Sequence, residues 1–61
     1  MTVIKEVKHE EFIIRQFSDN HAELYCDEGK MLARFSCIKE QSEEELKALV
    51  DYYIERRTKR G

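Results

Sequence analysis

Two cysteines, two histidines and 13 carboxylates are the side chains here that could carry a reaction or bind a metal. A cysteine nucleophile needs a base within hydrogen-bond reach and surroundings that lower its thiol pKa. His21 precedes Cys26 by five positions in a segment that alternates apolar and polar residues, so the two face opposite sides of a strand and make a poor dyad. Cys26 and Cys37 are read instead as small buried hydrophobes. They fall near opposite ends of one hairpin, about five residues apart at ~3.3 Å each, too far for a disulfide. Zinc sites use spaced pairs such as Cys-x-x-Cys, which two isolated cysteines with His9 and His21 do not supply. No metal or cofactor is expected.

The carboxylates whose places can be recognised have structural work. Asp19 and Asp27 belong to turns, Glu23 to a cross-strand pair, and Glu43, Glu44 and Glu45 to the start of a helix. A general acid or base is tuned by burial or by a close like charge, and no pair is placed that way. The chain also lacks a glycine-rich phosphate loop and a Gly-x-Ser-x-Gly elbow. The expectation is therefore a protein that binds and is not an enzyme.

The elements that position these residues belong to one domain, residues 1–61. A domain of this size buries only about 60% of the surface its unfolded chain exposes, so disulfides, a metal or a partner chain often add to its stability. With the first two discounted, a partner chain is the reading taken. Charged residues make up 39% of the chain, yet the net charge is −2 and the pI about 5.6, which disfavours sequence-independent binding of nucleic acid. No apolar run reaches signal-peptide length or the ~18 residues of a membrane span, so a cytoplasmic protein without a membrane partner is expected.

Turn residues at Ser18-Asp19-Asn20-His21 and Asp27-Glu28-Gly29-Lys30 separate segments of period-2 alternation, Ala22 to Cys26 and Met31 to Cys37. A turn centred on Glu28-Gly29, or a four-residue loop from Asp27 to Lys30, sets Cys26 opposite Met31, Leu24 opposite Ala33, Ala22 opposite Phe35 and Glu23 opposite Arg34. One face is then wholly apolar. A three-residue loop with a glycine bulge would bring Lys30 beside Cys26 and Arg34 beside Ala22, so the first register is preferred. Glu11 to Phe17 reads as a third strand whose adjacent Ile13 and Ile14 leave its buried face open. Val3, Ile4 and Val7 suggest a fourth, although His9-Glu10-Glu11 has no clear turn chemistry.

From Ser42 to about Arg60 the pattern is a single helix. Ser42 and Glu45 form a capping box, and Leu46, Leu49, Val50, Tyr53 and Ile54 form one apolar stripe. Glu43 with Lys47 and Glu55 with Lys59 support it at i, i+4 spacing. The fold class is α+β: an antiparallel sheet of three strands, with Val3 to Val7 as a candidate fourth, and one C-terminal amphipathic helix packed on one face.

One helix covers one face, so Tyr25 and Leu32, with His21 and either Ile14 or Ile13, are left on the other. Either the N-terminal segment folds over them or another chain does. We take the latter: a small regulatory or interaction module, homodimeric or bound to a protein, with Ile14, Tyr25 and Leu32 as interface residues. The alternative is a nucleic-acid-binding accessory protein that uses Arg56, Arg57, Lys59 and Arg60 at the helix end, where the helix dipole also favours cations.

Overall fold

The computed structural model describes residues 2–58, with Thr58 by its backbone alone. Four strands, β1 (Val3–His9), β2 (Phe12–Phe17), β3 (Ala22–Cys26) and β4 (Met31–Phe35), precede one helix, α1 (Glu43–Thr58). The sheet is a meander in the order β1-β2-β3-β4, with every neighbouring pair antiparallel. The segment that suggested a fourth strand is a full edge strand reaching His9.

The three hairpins use two kinds of loop. Between β1 and β2 only Glu10 and Glu11 separate the facing pair His9 and Phe12, and Glu10 has φ 58°. A positive φ confined to the first central residue is the pattern of a type II′ turn, whose usual occupant there is glycine. The other two loops have three residues and the same bonds. Phe17 N–H donates to His21 O at 2.9 Å and Asn20 N–H to Phe17 O at 2.7 Å; Cys26 N–H donates to Lys30 O and Gly29 N–H to Cys26 O, both at 3.0 Å. Asn20 (φ 75°) and Gly29 (φ 85°) hold the left-handed position that closes each loop, a conformation open to these residue types.

The second loop corrects the expected turn. Cys26 lies beside Lys30 and not Met31, which faces Tyr25. Farther along, Leu24 faces Ala33, Glu23 faces Arg34 and Ala22 faces Phe35, the register that the apolar alternation requires. A bulge reconciles the two: β4 advances from Met31 to Ala33 while β3 advances one residue, and Leu32 is left without a partner. Gly29 selects the loop, and burial of Leu24 selects the register. At the opposite edge the β1–β2 ladder likewise skips Ile4 between Val3 and Lys5.

On the helix side of the sheet, Val7, Ile14, Ala22 and Leu24 form the core with Leu46 and Val50 of α1. Ile14 is fully buried, with Val7 and Leu24 opposite it on the two neighbouring strands, so it cannot serve as an interface residue on the other face; Ile13, opposite Tyr25, takes that place. Phe12, Ala33, Phe35, Cys37, Leu49, Tyr53 and Ile54 surround the core half-buried, and the Phe12 and Tyr53 rings meet edge to face at 6.0 Å. Each fully buried Ile, Leu or Val is worth roughly 1.5–3 kcal/mol. A core this small leaves little margin.

The capping box closes at both ends: Ser42 N–H donates to Glu45 Oε1 at 2.7 Å, and Glu45 N–H donates to Ser42 Oγ at 3.1 Å. Glu43 and Lys47 pair at 3.4 Å, while the Glu55 to Lys59 pair reaches outside the described residues. His9 Nε2 meets Asp51 Oδ1 at 2.9 Å, which ties β1 to α1. The segment between β4 and α1 is fastened to the same side by Gln16, a fully buried polar residue. Its amide donates to Asn20 O and Lys39 O, each at 2.9 Å, and accepts from Gln41 N–H at 2.8 Å.

Candidate functional site

Helix α1 and the segment leading to it lie against the Ile14 side, so among the described residues no element crosses the other face of the sheet. Directly opposed residues of neighbouring strands share a face. The pairings therefore lay out that open face as rows running across the strands. One row reads Lys8, Ile13, Tyr25, Met31; the next reads Glu6, Arg15, Glu23, Arg34; beyond it Val3 faces Phe17. The middle row alternates in charge, negative and positive, across all four strands.

Three of its members, Glu6, Arg15 and Glu23, are held by bonds within the face. Arg15 Nε donates to Glu6 Oε1 at 3.2 Å, and its guanidinium lies 5.1 Å from the centre of the Tyr25 ring. Tyr25 OH donates to Glu23 Oε1. His21 stacks flat on Phe17 at 4.7 Å, with its Nε2 2.9 Å from Glu23 Oε2 and its Nδ1 2.5 Å from Asp19 Oδ1. Both imidazole nitrogens thus face carboxylate oxygens, and only the protonated ring can donate to both. The hydrogen bond to Glu23, then that to Asp19, raises the His21 pKa against the effect of burial. Glu23 is held below the usual range by the Tyr25 hydroxyl first and His21 second, and Asp19 is lowered chiefly by its bond to His21. In return, the Glu23 bond pushes the Tyr25 phenol up.

Tyr25 stands on the open face as expected, half-buried, and Leu32, also half-buried, sits at the β4 bulge. The uncovered surface is not a plain apolar patch: Ile13, Phe17 and Tyr25 are half-buried among charges, and Met31 is 52% exposed. Glu23 is opposite Arg34, but its carboxylate bonds to His21 and Tyr25. The run Asp19, His21, Glu23, Tyr25 at every second position was the sequence signal for this network, obscured because cross-strand pairing alone was assigned to Glu23.

At the end of α1, Arg56 and Arg57 are exposed, their guanidiniums 5.5 and 5.8 Å from the Tyr52 and Tyr53 ring centres. With Phe35 these residues line a groove of about 440 Å³. Lys59 and Arg60 lie outside the described residues. Both cysteines are free and half-buried, and burial, with Glu45 second, pushes the Cys37 thiol up. Among the described residues no three His, Cys, Asp or Glu side chains converge where a metal could sit, and no helix is long and apolar enough to cross a membrane. No protein family, curated protein or solved structure matches this chain.

Proposed function

We propose that this chain is a non-enzymatic interaction module that works by burying the open face of its sheet against another protein chain. The observation that carries this reading is the one-sided architecture. A single helix covers one face, while Ile13, Phe17, Tyr25 and Met31 share the other with no second layer among the described residues. Antiparallel sheets can leave one face to water, but a face that gathers Ile13, Phe17, Tyr25 and Met31 gains from a second layer, and a chain this short gains stability by borrowing one. Its mixed apolar and charged make-up is that of an interface that is also soluble alone.

The test pairs Ile13→Ser with Met31→Ser. The double variant is expected to keep its helix and sheet signal by circular dichroism while losing association with itself and with proteins captured by the wild-type chain. Undiminished association would overturn the reading. Loss of the fold would show that these residues serve the chain's own core.

A second reading places nucleic acid at the helix end, on the strength of the groove where Arg56 and Arg57 lie over Tyr52 and Tyr53 beside Phe35. Such binding would weaken steeply with salt and be lost in Arg56→Gln with Arg57→Gln. The net charge of −2 weighs against it. Absence of any DNA or RNA retardation at low salt would exclude it.

A further inference from the structure

The open face is self-complementary, and we infer that its occupant is a second copy of this chain, packed sheet on sheet about a two-fold axis parallel to the strands, between β2 and β3. The inference rests on the proposal that this face is buried, and it adds the partner and the register.

It follows from the order of charges. The row Glu6, Arg15, Glu23, Arg34 reads minus, plus, minus, plus from β1 to β4. Rotation by a half-turn about an axis along the strands reverses the strand order of the second copy, so its row reads plus, minus, plus, minus over the first. Glu6 then lies over Arg34 and Arg15 over Glu23, each twice by symmetry. The neighbouring row obeys the same operation: Ile13 lies over Tyr25, and Lys8 over Met31.

The other in-plane axis, across the strands, matches the face less well. Set on the charged row it puts each charge over its own copy, and like charges brought together in an interface select strongly against that arrangement. Set between rows it pairs Lys8 with Glu6 but leaves Arg15, Glu23 and Arg34 over Ile13, Tyr25 and Met31, with no opposite charge for any of the three. Sheets packed face to face keep their strands within about 30° of one another, so contacts nearest the axis are the best aligned. Those are Ile13 over Tyr25 and Arg15 over Glu23.

The side chains are set for this in the free chain. Arg15 is held between Glu6 and the Tyr25 ring, and Glu23 between Tyr25 and His21, so little ordering remains for association. Four strands at ~4.8 Å and about five residues at ~3.3 Å give a face of roughly 19 by 17 Å. The two copies together would bury roughly 650 Å², below the ~1,000 Å² of a stable interface, so the expected dimer is a weak, transient one that forms at high micromolar concentration.

The test crosses two charge reversals. In Arg15→Glu, position 15 faces Glu23 of its copy with like charge; in Glu23→Arg, position 23 faces Arg15 likewise. Each variant alone is expected to self-associate at least tenfold more weakly than wild type by sedimentation equilibrium. An equimolar mixture restores opposite charges at both central contacts and should form the heterodimer. Should Glu23→Arg unfold on losing its bonds to His21 and Tyr25, the cross of Glu6→Arg with Arg34→Glu asks the same question at the exposed rim. A wild-type chain that stays monomeric to sub-millimolar concentration would overturn the second copy, and the Ile13→Ser, Met31→Ser comparison would still decide whether another protein uses the face. A dimer whose reversals leave affinity unchanged, or whose mixtures do not recover it, would overturn the register.

Discussion

Gln16 occupies a core position of β2 that an apolar residue would ordinarily fill. Its three hydrogen bonds satisfy the carbonyls of Asn20 and Lys39 and the amide of Gln41, joining a hairpin loop to the approach of the helix. Gln16→Leu keeps the volume and strands Asn20 O and Gln41 N–H, while Lys39 O keeps only its bond from the Gln41 side-chain amide. At ~1–3 kcal/mol for each buried polar group left unpaired, the expected loss is about 3 kcal/mol, measurable by denaturant titration. This role was hidden in the sequence, because Ile13 and Ile14 left the inward face of β2 open and Gln16 gains meaning only once that face is known. His21 makes a second residue-scale prediction, with its sign set by linkage. Its pKa is raised, so its contribution to stability is complete below the ordinary histidine value of about 6.5 and is lost as pH rises through the higher folded value. Asp19 and Glu23 are lowered, so their contributions are present above the ordinary carboxylate range and are lost as pH falls through their folded values. Thermal midpoints recorded against pH should therefore peak between about pH 4.5 and 6.5, and His21→Gln should flatten the alkaline side.

Each hairpin loop reflects how far a backbone preference dominates its locality. Asn20 and Gly29 in left-handed backbone produce two loops with the same bonds although their sequences differ. The Gly29 loop was discounted from the pattern because it places Lys30 beside Cys26; what the pattern could not supply was the Leu32 bulge, which lets the loop and the apolar register coexist. The helix, by contrast, was legible in full over its described length. Ser42, Glu45 and the stripe from Leu46 to Ile54 are local signals, and local signals need no knowledge of strand pairing. The β1–β2 turn lies between these cases. Glu10 is held at φ 58°, where a side chain is strained, so Glu10→Gly should stabilise the protein by about 1 kcal/mol, read as a higher denaturation midpoint with unchanged slope. Its lack of turn chemistry in the sequence is the same fact seen from the other side.

As a whole, the molecule is a four-stranded sheet with a helix on one side, which was foreseen apart from the standing of β1. The charged row was not legible, because it needs the registers of all three hairpins together, two of them altered by bulges at Ile4 and Leu32. If the second copy completes the fold, stability becomes a property of concentration. The thermal midpoint should then rise by roughly 3–5 °C for each tenfold increase in protein while dimer predominates, and a midpoint independent of concentration would remove the coupling. The same two bulges bear on how assembly ends. They sit on β1 and β4, the two outer strands, and each interrupts the line of backbone donors and acceptors that another sheet would need in order to extend this one sideways. Growth is thereby discouraged in the direction that leads to fibres, and the face-to-face pairing proposed above, being two-fold, would close at two copies.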